Sequence, residues 1–202
     1  MKIRTLIKRI SKLEPVSYAP TLQEYYFRSA LQEEGLSKGS VKVDHHNGLC
    51  WHKETGWIPI VFPQSLIERV RSIPLEKKDE YFFRGVISPG REWILGYPGV
   101  SECFYGRDSK KKYDLDIDYY SHMRSANYIL SPVGDCPWSY RFLEAALCGS
   151  IPVLGKYDKD VFCEHFQFFR HGETHFYDVS VAEENFEVFL RRHSLRGAAL
   201  RS

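Results

Sequence analysis

From Tyr81 to Leu154 the sequence changes period again and again, β-rich runs alternating with stretches of helical spacing. Tyr81–Ile87 reads as a strand. Ser88-Pro89 then offers a capping residue and a proline suited to the first helical position, opening a short helix to about Leu95. Val100–Tyr105 reads as a second strand, and Ile117–Ala126 has helical spacing, with Tyr120, Met123 and Arg124 on related faces. Tyr128–Ser131 is a short apolar run that ends in Pro132-Val133-Gly134-Asp135. Ser139–Cys148 is the next helical pattern, stopping at Gly149, and Ile151–Leu154 the next strand. Strands and helices in this alternation build βαβ units, whose crossovers are right-handed in nearly all folds. The expected class is α/β with a mainly parallel sheet.

The flanks are less regular. Leu22–Glu34 and Ser65–Ser72 look helical, Val41-Lys42-Val43 looks like a strand, and Lys2–Ile7 suits either a strand or a basic helix. The charged stretch Ile73–Glu80 is the nearest thing to a seam. It divides residues 1–78, a small partner lobe or an extension of the sheet, from a domain over 79–202. Val181–His193 has helical composition and packs back on the sheet; Arg196–Ser202 is expected to fray.

Composition excludes several classes. With 43% hydrophobic and 27% charged residues and a net charge of +2, the chain is globular, and its field is too weak to make nucleic acid the default partner. No run approaches the roughly 18 apolar residues of a membrane span, and Met1–Leu13 interleaves Lys and Arg with Ile and Leu instead of forming a signal-peptide core. The five cysteines are odd in number and lack C-x-x-C spacing, which argues for reduced thiols and against a disulfide scaffold or zinc ribbon. Free thiols without a targeting signal suit the cytoplasm.

Ligands of open parallel sheets bind beyond the carboxyl ends of the strands, where loops lead into helix N-termini that favour anions. Three loops qualify: Arg84–Pro89, Tyr105–Asp108 and Ser131–Arg141. In the last, Gly134 permits a tight turn, Ser139 can cap the following helix, and Arg141 shares a face with Glu144 three residues on. A guanidinium beside a helix start suits a diphosphate, and an acceptor-only carboxylate one turn further suits two sugar hydroxyls. On spacing alone the same pair also suits an exposed intrahelical ion pair worth about a few tenths of a kcal/mol.

Tyr119-Tyr120 through Asp135, with its Y…M-x-S-x-x-Y-x-L-x-P-x-G skeleton, is followed by Ser139-x-Arg141-x-x-Glu144-Ala145 and Gly149-x-Ile151-Pro152-Val153. This stretch resembles the donor-binding signature of exostosin-like glycosyltransferases. Tyr81-Phe82-Phe83-Arg84-Gly85 and Arg91 look like that family's F-F-R-G segment and the arginine after it, so the resemblance covers about residues 81–155. It implies a GT-B type enzyme with a Rossmann-like parallel sheet, helices on both faces, and an N-terminal lobe reduced to about eighty residues. By the same resemblance Glu144 holds the ribose hydroxyls, Arg141 and the cap around Ser139 and Gly134 lie near the diphosphate, and Arg84 and Arg91 add phosphate or sugar contacts. It implies no metal and no cofactor, the nucleoside-diphosphate sugar being the donor substrate. A glycan hydroxyl is the acceptor, and a general base deprotonates it in a single inverting displacement.

Candidates for that base lie in Asp44, His45 and His46, at the end of the Val41–Val43 strand; the plainer reading is a turn with a solvated histidine pair. Zinc held by His45, His46 and His52 is disfavoured, because adjacent residues of a strand point to opposite faces. Phe162, Phe166, Phe168, Phe169 and Phe176 read as packing, Lys110–Lys112 as a solvated loop, and Trp138 either stacks on a donor ring or shields its loop. The rival classes are a nucleotide-sugar-binding module without catalysis, or a subunit that acts beside a partner chain or second copy. A protein O-glucosyltransferase type is the enzymatic rival.

Overall fold

The computed structural model describes residues 21–36, 39–100, 115–134 and 136–199. Its elements run α1 (Leu22–Glu33), β1 (Lys42–Asp44), β2 (Leu49–His52), β3 (Gly56–Pro59), α2 (Gln64–Ser72), β4 (Asp79–Phe82), a 3-10 turn (Glu92–Gly96) and α3 (Ile117–Ser125). They continue with β5 (Ala126–Leu130), α4 (Tyr140–Leu147), β6 (Ile151–Leu154), a second 3-10 turn (Cys163–His165), β7 (Phe169–Arg170), α5 (Val179–His193) and α6 (Leu195–Ala199). The fold is α/β: β4-β5-β6-β7 form a four-stranded parallel sheet flanked by helices. Its strands lie in chain order, and α3 and α4 pack on one face.

The sheet alternates side chains between two cores. Phe82, Ile129 and Leu154 join α3, α4 and Phe189 of α5 on one side. Tyr81, Tyr128, Leu130, Ile151 and Val153 meet Trp93 and Ile94 of the 3-10 turn and Val181 and Ala182 at the start of α5 on the other. The expected strand Tyr81–Ile87 stops at Phe82. Ser88 caps no α-helix: its carbonyl accepts the Arg91 amide, and the chain goes on into a 3-10 turn. The expected strand Val100–Tyr105 and the Lys2–Ile7 and Lys110–Lys112 readings lie outside the described residues, Val100 excepted.

β1-β2-β3 form a separate antiparallel sheet, so the N-terminal strands do not extend the parallel one. Asn47-Gly48 turns β1 into β2, with Gly48 at φ 62°, a region glycine enters without Cβ strain. This sheet buries Cys50 and Ile58 against Phe27, Ala30 and Leu31 of α1. The two sheets are stitched together: Tyr26, Ile60, Phe62, Ile67 and Val70 share one core with Phe142, Leu143 and Phe189. At the crossing His193 Nδ1–H donates to the Ile60 carbonyl at 2.7 Å, and the Phe62 amide donates to the His193 carbonyl at 2.7 Å. The C-terminus does not fray through Ala199. Leu195 and Ala198 return to the α1 side, and that burial stabilises a short helix that sequence alone disfavours.

Candidate functional site

α4 is the helix that carries the candidate residues, and its ends are well determined by local sequence. Ser139 caps it, Oγ accepting the Arg141 amide at 3.3 Å. At the other end Gly149 takes φ 69°, its amide donating to the Ala146 carbonyl and that of Ser150 to the Ala145 carbonyl, the paired bonds of a Schellman stop. Between them Phe142, Leu143, Ala145, Ala146 and Leu147 are buried. The arrangement fixes Arg141 and Glu144 at the helix start, beyond the carboxyl end of β5.

A cavity of about 420 Å³ opens there. Arg84, Tyr119, Gly134, Ser139, Arg141 and Glu144 line it from the parallel-sheet side, with Cys136, Trp138 and Tyr140; Leu22 and His45 face them from the N-terminal side. Volume does not single it out, since hollows of about 390 Å³ between α1 and α2 and about 440 Å³ along β4 are comparable. What distinguishes it is that two arginines, a glutamate and a histidine line it together.

Glu144 is 1% exposed, which removes the exposed ion-pair reading. Its Oε2 accepts the Tyr119 hydroxyl at 3.0 Å and its Oε1 the Tyr120 hydroxyl at 2.9 Å. Arg141 lies 4.8 Å over the Phe83 ring and donates to the Arg84 carbonyl from Nε at 3.2 Å and Nη2 at 2.8 Å. Gly85 allows this, because a Cβ there would overlap the Arg141 guanidinium. The Arg84 side chain is paired with Asp118 at 3.1 Å and lies 3.8 Å from Asp116. Arg91 does not line the cavity; it braces the loop behind it, Nη2 donating to the Val133 carbonyl at 2.9 Å.

The helix start itself is less open to an anion than expected. The Ser139 amide donates to Asp160 Oδ2 at 2.9 Å and the Arg141 amide to Ser139 Oγ, so two of its N–H groups have intrachain acceptors. Burial pushes the Asp160 carboxyl up to about 6, against the amides of Phe162 and Ser139, which favour its charged form. Attraction for an anion therefore rests on Arg141 and Arg84.

Of the three base candidates only His45 reaches the cavity. Asp44 caps the β1–β2 turn, accepting from the Asn47 side chain at 2.8 Å and its amide at 3.0 Å; these bonds hold its carboxyl below the usual value. His46 is exposed beside it. Trp138 shields its loop and joins the two sheets: the indole N–H donates to the His45 carbonyl at 2.7 Å, and the ring packs on Tyr140 and Phe162. Among the described residues no group of three or more His, Cys, Asp or Glu converges as metal ligands, and His52 is buried, its Nδ1 accepting the Glu54 amide.

Tyr119 and Tyr120 are the functional candidates that sequence reasoning misses. They belong to the Y…M-x-S element, yet nothing in their spacing shows two neighbouring side chains converging on a residue 24 or 25 positions later. Phe162 and Phe166 are core, as expected, whereas Phe176 is 65% exposed. The described cysteines are free thiols, and no described helix is long and apolar enough to cross a membrane. No protein-family model matches the chain, and no curated protein does either.

Proposed function

We propose that this chain is a glycosyltransferase of exostosin-like type, with a reduced N-terminal lobe facing a nucleotide-sugar-binding domain in the GT-B manner. The observation that carries the reading is Arg141 and Glu144, one turn apart on α4, opening on a single cavity with Arg84 and Tyr119, opposite His45. Glu144 accepts the ribose hydroxyls of the donor, and Arg141 and Arg84 face its diphosphate. Cations placed where charge develops stabilise the departing nucleoside diphosphate without reorganising. The acceptor hydroxyl oxygen bonds to the anomeric carbon, the diphosphate leaves with the electrons of the broken glycosyl bond, and the hydroxyl proton passes to His45. Asp44 is the weaker base, since its carboxylate is engaged by Asn47.

The first test is a thermal-shift series with UDP, GDP, ADP, CDP and their sugars, without and with magnesium. One nucleotide is expected to raise Tm with little metal dependence, and Arg141→Ala to lose most of that rise. No shift with any of them would remove the reading. Release of diphosphate from the matching donor by the isolated chain separates an enzyme from a module that only binds; the turn-capping role of Asp44, which leaves a single base at the cavity, is what favours the module.

Gly85→Ala supplies a second check. The obstacle is the movable end of the Arg141 side chain, so Tm is expected to change by less than about 3 °C, while the guanidinium shifts and nucleotide affinity falls about tenfold. Unchanged affinity would show that the Arg141 position is not what binds.

A further inference from the structure

Tyr119 and Tyr120 are consecutive on α3, so their side chains leave the helix about 100° apart. Both hydroxyls nevertheless end on one carboxylate, one on each oxygen, at 3.0 and 2.9 Å. The two rings meet edge to face, with centroids 5.3 Å apart and planes at 81°, and Glu144 reaches both hydroxyls from α4. All three residues are nearly inaccessible, at 3%, 1% and 1% exposure for Tyr119, Tyr120 and Glu144. Tyr119 and Glu144 line the cavity, while Tyr120 is not part of its wall.

We infer that Tyr119 and Tyr120 are positioning residues that clamp Glu144 as an oriented hydrogen-bond acceptor, and that this clamp makes the cavity select a ribonucleotide over its 2′-deoxy counterpart. The inference rests on the proposed nucleotide-sugar reading and deepens it. A carboxylate buried this far costs solvation free energy unless its charge is met by donors, and two hydroxyl donors meet it without neutralising it. An ionised carboxylate is acceptor-only. A ribose presenting two O–H groups matches such an acceptor, and a sugar lacking the 2′-hydroxyl leaves part of it unsatisfied, which is where polar sites discriminate most strongly. The other charged or titratable residues lining the same cavity are Arg141 and Tyr140 on α4, Cys136 before it, Arg84 after β4 and His45 after β1.

Tyr120→Phe is the decisive variant, because it keeps the buried ring and removes a hydroxyl that does not touch the cavity. Calorimetry with UDP, GDP, ADP and CDP, and with the 2′-deoxy form of the tightest binder, reads the effect. The ribonucleotide is expected to bind about tenfold more weakly to the variant, and the deoxynucleotide to change by less than about threefold. Carbon-13 NMR titration of the glutamate carboxyls is run on the full chain without ligand. The Glu144 resonance, assigned by its loss in Glu144→Gln, is expected to titrate at higher pH in Tyr120→Phe than in the wild type, because a donor to the ionised form is gone. Equal losses for ribo- and deoxynucleotide, or an unmoved Glu144 titration, would overturn the clamp. If the wild type binds none of the four nucleotides, the proposed function falls, and the carboxyl titration still decides whether the tyrosines hold Glu144.

Discussion

Between pH 6.5 and pH 4, Asp160→Asn is expected to lose about 3 kcal/mol of stability while the wild type changes little. Two buried groups oppose each other in that interval. Burial holds the His193 imidazole down at about 4 against an ordinary 6.5, with Arg192 and His165 adding repulsion. Its neutral ring packs on Phe162, Phe189 and Phe166 and donates to Ile60. A folded value below the unfolded one means the contribution is full above pH 6.5 and is lost as pH falls towards 4. Asp160 runs the other way. Raised to about 6 from 3.8, it favours the folded state below pH 3.8, and that contribution disappears as pH rises through 6, again about 3 kcal/mol. On acidification the gain from Asp160 offsets the loss from His193. Asparagine at 160 removes the gain and exposes the loss. His193→Asn, whose amide can still donate to Ile60, is expected to do the reverse and become relatively more stable as pH falls. Urea unfolding of the three proteins at pH 7 and 4.5 measures this; parallel pH dependence in all three would exclude it.

Glu144→Ala is expected to lower Tm by about 4–24 °C and to abolish stabilisation by nucleotide. The Tyr119 and Tyr120 hydroxyls each lose this acceptor in a place almost without water, at about 1–3 kcal/mol apiece. For a chain of this length about 1 kcal/mol corresponds to roughly 2–4 °C. Glu144→Gln keeps the shape and one acceptor oxygen, so it separates the two effects: its Tm is expected to fall by less than half as much, while nucleotide binding stays impaired. Scanning calorimetry with and without the stabilising nucleotide decides. An alanine variant that melts like the wild type and still responds to nucleotide would refute both the carboxylate's structural weight and its contact with ligand.

Local signals make the region from α3 to β6 legible in the sequence almost unchanged. The Ser139 cap, the apolar face of α4 and the Gly149 stop act within a few residues of one another, and the helix appears at Tyr140–Leu147 as that grammar requires. The β2–β3 hairpin escapes such a reading although Asn47-Gly48 announces the turn before it, because the aromatic and polar mixture Cys50-Trp51-His52 has no clean period and its burial comes from α1. β7 is two residues long and exists through pairing with β6, a contact no window of sequence contains.

The candidate site divides in the same way. Cap chemistry and the 3.6-residue period are local, so the order of residues alone dictates that an arginine and a glutamate stand one turn apart at the start of a capped helix. Which groups meet them depends on packing across the whole fold. That packing assigned Asp160 to the helix start, brought Tyr119 and Tyr120 onto Glu144, placed Arg84 and His45 at the same cavity, and left Asp44 and Arg91 to brace turns and loops. The partners at the helix start and the cavity lie 16 to 99 positions from Arg141 or Glu144 along the chain. Their meeting comes from α1, the segment after β3 and α2 sharing one hydrophobic core with the parallel sheet and its helices, a property of the packed whole that no single segment encodes.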